Sequence, residues 1–302
     1  MWRRGVAVAG LILIAVALLP AGVPARAGTR LNVVASFSIL GDFVREVGGD
    51  RVAVTTLVGP DSDSHVYRPT PDDVRRVAAA QLVIINGLGL EGWLPRLVAA
   101  AGAHAPIVTA TSGIAPRRPA PGEDRSHDVD PHAWQAVPNA RTYVTNIRDA
   151  LVTADPGGAA VYQANAQAYL VRLDSLDREV RAGVARIPPP RRRVISTHDA
   201  FGYFADTYGI AFIAPQGVST DSEPSAGDLA AIVRQVKAEA IPAVFLENMS
   251  DPRLMRRIAA ETGARIGGTL YSDSLTGENG DAPTYIDMVR HNIKTLTDAL
   301  AP

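Results

Sequence analysis

Two α/β lobes, each on a parallel sheet and joined by one long helix, are the fold that this sequence predicts. Three observations carry the prediction. Short Val- and Ile-rich runs alternate with helical patterns in both halves of the 302-residue chain, as βαβ units do. A single amphipathic stripe of about thirty residues separates the halves, long enough at 1.5 Å per residue to cross roughly 45 Å. Apolar residues make up 47% and charged residues 20%, and a chain of this length allows about two domains.

The elements follow in order. Met1-Trp-Arg-Arg, an apolar run from Gly5 to Leu19 and an Ala25-Arg-Ala27 ending form the pattern of a secretory leader, residues 1–27. The apolar run is shorter than the roughly 20 residues of a membrane span. Loss of this segment would remove three arginines and no acid, so the exported chain is more acidic than the whole, whose net charge is −1.

A first lobe is expected over residues 28–139. Leu31–Ser38 reads as a buried strand, followed by a helix through Val47, and Arg51–Val58 as the next strand. Thr70-Pro-Asp-Asp73 is a helix start, with Thr as N-cap, Pro in the first turn and acids at the positive end. Leu82–Ile85 and Ile107-Val108 supply two further strands, and 113–131, rich in Pro, Gly and charge, a surface loop. A linking helical segment is expected over 140–190, with helices from Asn139 to Thr153 and from Asp155-Pro156 onward. In the second of these Tyr162, Ala166, Tyr169, Leu173, Leu176, Val180, Val184 and Ile187 recur at steps of three and four and form one buried stripe. Pro188-Pro-Pro190 stops it. The second lobe, 191–302, resumes the alternation with strands at Val194–Thr197, Ala211–Ile213, Ala243–Leu246 and Arg265–Gly267. Helices begin near Ser225, Asp251 and Thr284. The architecture expected is two Rossmann-like lobes.

The chain has no cysteine, which excludes disulfides, thiolate metal sites, thiol catalysis and a lipid carried on cysteine. Acidic and basic residues are mixed along the chain, so no basic stripe points to nucleic acid. Of the six histidines, His65 and His198 follow strands, where open α/β sheets bind ligands. His132 lies at the edge of the variable loop and Asp273 beyond the last strand. Taken singly, each of these four also fits a structural role.

Four segments carry a resemblance. His65-Val-Tyr-Arg-Pro-Thr-Pro-Asp72, Asp130-Pro-His-Ala-Trp134, Ser196-Thr-His-Asp-Ala-Phe201 and Tyr271-Ser-Asp-Ser-Leu275 resemble, in order and spacing, the signature segments of the zinc and manganese substrate-binding proteins of ABC importers (cluster A-I). The resemblance implies a rigid two-lobed clamp with a metal held by His65, His132, His198 and Asp273. It implies no catalysis, a periplasmic and soluble monomer, and the permease's transmembrane subunits as partners, with a periplasmic zinc chaperone as a further candidate. Manganese-importing relatives typically place a glutamate where His198 stands, so the expected cargo is Zn2+, with Mn2+ second, and the nearest relatives are expected to be zinc-binding. Three imidazoles and one carboxylate suit tetrahedral zinc, whereas manganese favours oxygen-rich sites. His104, His127 and His291 match no ligand segment. His127 lies where zinc-binding relatives often carry a histidine-rich insertion, and Arg68 departs from the acidic or polar residue usual after the tyrosine. Asp130, Asp199 and Glu247 are candidates to orient the imidazoles. Two other classes fit less well: a zinc hydrolase, which would keep a position open for water and for which no His-Glu-x-x-His is present, and an adhesin-like surface role. A long connecting helix resists hinge motion, so release is expected to use loops near His132 and Asp273.

Overall fold

The structure is a computed structural model describing residues 1–2, 30–118 and 129–302. From residue 3 on, the expected leader lies outside the described residues, as does His127. The first sheet contains β1 (Leu31–Phe37), β2 (Val52–Val58), β3 (Leu82–Ile85) and β4 (Ile107–Thr109), all parallel, in the order β2-β1-β3-β4. The second repeats that order with β5 (Arg193–Ile195), β6 (Ala211–Ile213), β7 (Ala243–Glu247) and β8 (Arg265–Leu270), arranged β6-β5-β7-β8. Each sheet has a topological switch beside its first strand, the place where such sheets bind ligands.

Helices cover the sheets. α1 (Ser38–Gly48) follows β1, α2 (Pro71–Ala78) precedes β3, and α3 (Leu94–Ala101) leads to β4. The α2 start carries the expected cap in full: Thr70 and Asp73 each bond the other's backbone N–H, a capping box that satisfies two orphan donors. α4 (Val137–Ala154) leads through a tight turn into α5 (Ala159–Ala185). The predicted stripe of α5 is buried at every position from Tyr162 to Val184, and Ile187 just beyond it is buried too. At 27 residues α5 is about 40 Å long and packs against α1 and α4 on one side. It also meets α6 (Gly202–Tyr208) and α9 (Tyr285–Leu300), which belong to the second half. α7 (Ala226–Ala238) and α8 (Arg253–Thr262) cover the far face of the second sheet over a separate small core around Ile195, Ile232, Val244 and Met255.

Three local features differ from expectation. β5 ends at Ile195, two residues short of Thr197, because the Glu247 carboxylate takes the N–H groups of Thr197 and His198 at 2.7 and 3.1 Å. β8 continues past Gly267 to Leu270 and carries a bulge, since Val244 pairs with Ile266 but Phe245 with Gly268. Gly267 is the extra residue, and a Cβ there would stand 2.5 Å from the Phe245 ring. Gly268 follows at φ 131°, a conformation that side chains rarely adopt. Finally, α3 and α6 are helices of eight and seven residues, too short to show a helical period in the sequence.

Candidate metal centre

Each of the four residues singled out in the sequence lies on a loop at the carboxyl edge of a sheet. His65 is in the loop after β2. That loop is fixed by the Asp63 carboxylate, which accepts the His65 N–H at 2.8 Å, and by Trp93, whose indole N–H donates to the Ser64 carbonyl at 3.0 Å. His132 opens a short helical turn before α4, after the β4 strand. His198 follows β5, and Asp273 follows β8. The bulge at Gly267 adds one residue to β8, and in a strand one residue reverses every side chain's face. It therefore sets which way the chain enters the Tyr271–Leu275 loop.

The folded chain brings the four together, two from each half. Their nearest ligand atoms all lie within 4.8 Å of one another. The His65 and His132 Nε2 atoms are 3.1 Å apart, and Asp273 Oδ2 is 3.2 Å from both His65 Nε2 and His198 Nε2. Asp273 Oδ1 is 3.5 Å from His132 Nε2. A tetrahedron with bonds of 2.0–2.1 Å has edges of about 3.3–3.4 Å, close to these separations. The side chains of His132, His198 and Asp273 are fully buried and that of His65 is 5% exposed. His198 Nε2 and both Asp273 oxygens have no hydrogen-bond partner. Buried polar atoms left so are costly, and three at one point aim at a group that accepts lone pairs.

Behind two imidazoles stand carboxylates. Asp130 Oδ1 is 2.8 Å from His132 Nδ1 and accepts the His132 backbone N–H at 2.9 Å. Glu247 Oε2 is 2.6 Å from His198 Nδ1 and accepts the Ser272 hydroxyl at 2.7 Å. Both arrangements leave Nε2 directed at the centre, as orienting partners of metal-bound histidines do. Of the three candidate acids, Asp130 and Glu247 fill this role at the two rings.

The local field favours positive charge. Burial lowers the basicity of His132, but Asp273 and Asp130 outweigh it and raise its pKa to about 9. His198 is raised well above the ordinary imidazole range by Glu247 and Asp273 against the same burial penalty. Burial lowers His65, although Asp273 opposes it. Burial would raise Asp273, but His198 and His132 hold it well below the usual carboxylate range. A pocket that draws protons onto two buried imidazoles is one in which a divalent cation is favoured.

Sequence reasoning missed the residues that tie the halves together here. The Trp134 indole N–H and the Gln135 amide both donate to the Ser272 carbonyl, at 2.8 and 2.6 Å. The Leu275 N–H donates to the Ser38 hydroxyl at 3.0 Å. The Asp273 loop is thus held by both halves of the molecule. A signal existed only for Trp134, two residues after His132 in the second motif. The remaining described histidines stand apart: His104 is exposed, and His291 bonds the Thr269 carbonyl and lies edge-on to Tyr271.

Known proteins bear on this geometry. The family described as zinc-uptake complex component A, periplasmic, matches residues 33–299. The manganese-binding lipoprotein MntA of Halalkalibacterium halodurans is 36% identical over 296 residues, covering 96% of this chain and 97% of that protein. The iron-binding protein YfeA of Yersinia pestis is 33% identical, covering 94% and 91%. The solved periplasmic zinc-binding protein TroA of Treponema pallidum superposes with a TM-score of 0.84 at 30% identity, over 90% of this chain and all of that one. These names span three metals and do not single out zinc. Two parallel-sheet lobes, the joining helix and a match over nearly the whole described chain establish the identity at family level: the chain belongs to the zinc-uptake complex component A family, the metal-binding substrate-binding proteins of ABC transporters.

Proposed function

We propose that this protein captures Zn2+ in the periplasm through His65, His132, His198 and Asp273 and presents it to the transmembrane subunits of an ABC permease. The observation that carries the reading is the convergence of four buried donors, three of whose atoms have no other partner. Three imidazole nitrogens and one carboxylate are a zinc-like set. Four protein donors fill a tetrahedral shell without an open position for water, which supports cargo binding over hydrolysis. His132 and His198, pre-oriented by Asp130 and Glu247, supply neutral nitrogens, and Asp273 supplies the compensating charge.

A second reading, Mn2+ as cargo, has its own support. A relative 36% identical is named for manganese, and both Asp273 oxygens are unpartnered, so a bidentate carboxylate would give the higher coordination that manganese prefers. Elemental analysis of the protein as purified, followed by competitive zinc and manganese titration after chelation, separates the two. Zinc retention and a zinc affinity far above that for manganese are expected, and the reverse order would establish manganese. Replacing His132 with Ala should weaken zinc binding by ~100-fold or more while the circular dichroism spectrum stays unchanged. Unaltered affinity in that variant would remove the ligand assignment.

A further inference from the structure

Arg117 lies on the segment between β4 and His132, with its side chain largely buried at 13% exposure. Its guanidinium reaches two carboxylates from different halves of the molecule. Nη1 is 3.4 Å from Asp130 Oδ2, and Nε is 3.2 Å from Asp206 Oδ2 on α6. The guanidinium lies against the first residue of α6, where a Cβ on Gly202 would come within 2.4 Å of it. The backbone closes the same bracket. The Arg117 N–H donates to the Tyr203 hydroxyl at 2.8 Å, the Tyr203 hydroxyl meets the Asp130 carbonyl at 3.3 Å, and the Asp130 N–H donates to the Arg117 carbonyl at 2.9 Å. Asp130 uses its other oxygen, Oδ1, on the His132 ring. A continuous chain therefore runs from Asp206 through Arg117 and Asp130 to His132. At its far end α6 begins only four residues after His198.

We infer that Arg117 is a cross-lobe positioning residue that sets how tightly the cargo cation is held. It fixes Asp130 from behind, so that the carboxylate and the His132 ring stay in one orientation. It also anchors that pair to the helix directly following His198, so the two imidazoles from opposite halves move together. Arg suits the place because its planar fork offers donors in two directions at once. A lysine could satisfy only one carboxylate at a time. Loss of the bracket frees the His132 loop, and the expected effect falls on dissociation rather than association, because the entry face is unchanged.

This inference rests on the four-residue cation site proposed above, and the test separates the two. Zn2+ alone is titrated against a chromophoric chelator, with dissociation followed by stopped flow, in wild type, Arg117→Gln, Arg117→Lys and Asp206→Asn. Arg117→Gln and Arg117→Lys should each lose about tenfold in affinity, the scale seen for partners of metal-bound histidines, through faster release. Asp206→Asn, at the exposed end, should show a smaller loss in the same direction. The visible spectrum of the Co2+-loaded protein should shift in the Arg117 variants. A lower melting temperature with wild-type affinity, release rate and Co2+ spectrum would make Arg117 a structural brace and overturn the inference. Should Arg117→Gln fail to fold, Arg117→Lys and Asp206→Asn decide alone. A wild-type protein that binds no zinc or manganese would instead overturn the site itself.

Discussion

At the scale of single residues, the two imidazole–carboxylate pairs set the chemistry. Glu247 accepts from four donors: the backbone N–H groups of Thr197 and His198, the His198 ring and the Ser272 hydroxyl. A carboxylate is the one side chain that only accepts at both oxygens. Glu247→Gln sets an amide NH2 against those donors, and zinc affinity should fall about 10–100-fold. Chelator competition measures it, and an unchanged constant would show that Glu247 does not orient the ligand. The pH dependence follows from the same pairs. With the His132 pKa raised to about 9, a cation bound there as proposed would have to displace a proton at neutral pH. Affinity should therefore rise as pH increases up to about 9, beyond the ordinary imidazole range near 6.5. Titration calorimetry in buffers of different ionisation enthalpy should register proton release at pH 7; no dependence on the buffer would contradict it. Arg68, the departure from the family pattern, has no explanation in the structure.

At the scale of elements, the bulge in β8 and the start of α9 matter most. Gly267→Val would drive a branched side chain into the Phe245 ring and remove the space that the bulge needs. Overpacking of this kind costs about 1–3 kcal/mol, and displacement of the following Asp273 loop should weaken zinc binding as well. A variant with a lower melting temperature but intact affinity would separate the bulge from the site. Asp42 on α1 accepts the Tyr285 N–H at the start of α9 at 2.9 Å. Burial raises its pKa to about 6, although that N–H pulls the other way. The folded chain thus binds this proton more tightly than the unfolded one. The resulting stability is present in full below about pH 4 and is lost as pH rises to about 6, on the order of 3 kcal/mol. Asp42→Asn keeps an oxygen for Tyr285 without the charge and should raise the melting temperature at pH 7 by several degrees. An unchanged or lower value would mean that the charged form is the better cap.

At the scale of the molecule, one rigid helix and several small latches divide the work. α5 packs on helices of both halves, so a large hinge rotation would break its buried stripe of Tyr162, Tyr169, Leu173 and Leu176. Across the mouth of the site the contacts are lighter. The Thr220 hydroxyl donates to Asp63 at 2.6 Å, the Asn248 amide to Asp61 at 2.8 Å, and the Ser62 N–H to the Ser274 hydroxyl at 3.2 Å. Thr220→Val removes one latch beside His65 and should speed zinc release. Small-angle scattering of loaded and metal-free wild type should give the same radius of gyration within error. A clear change in that radius would place the motion in the joining helix instead of the loops.

The sequence by itself determined the elements whose cause is local. A Thr-Pro-Asp-Asp start, runs of β-branched residues and steps of three and four along α5 act over a few residues, so they were legible without a partner. α3 and α6 were not, because helices of eight and seven residues are too short to show a period and are held by what they pack on. The four candidate ligands were legible only through the motifs around them, since a histidine after a strand means little alone. Tertiary structure decided the rest. It chose Asp130 and Glu247 as the ring partners, the latter 49 residues from His198 and brought there because β7 lies beside β5. It also hung the Asp273 loop on Ser38 and Trp134 of the opposite half. Such choices depend on which strand ends meet across the cleft, and no window of neighbouring residues encodes that meeting.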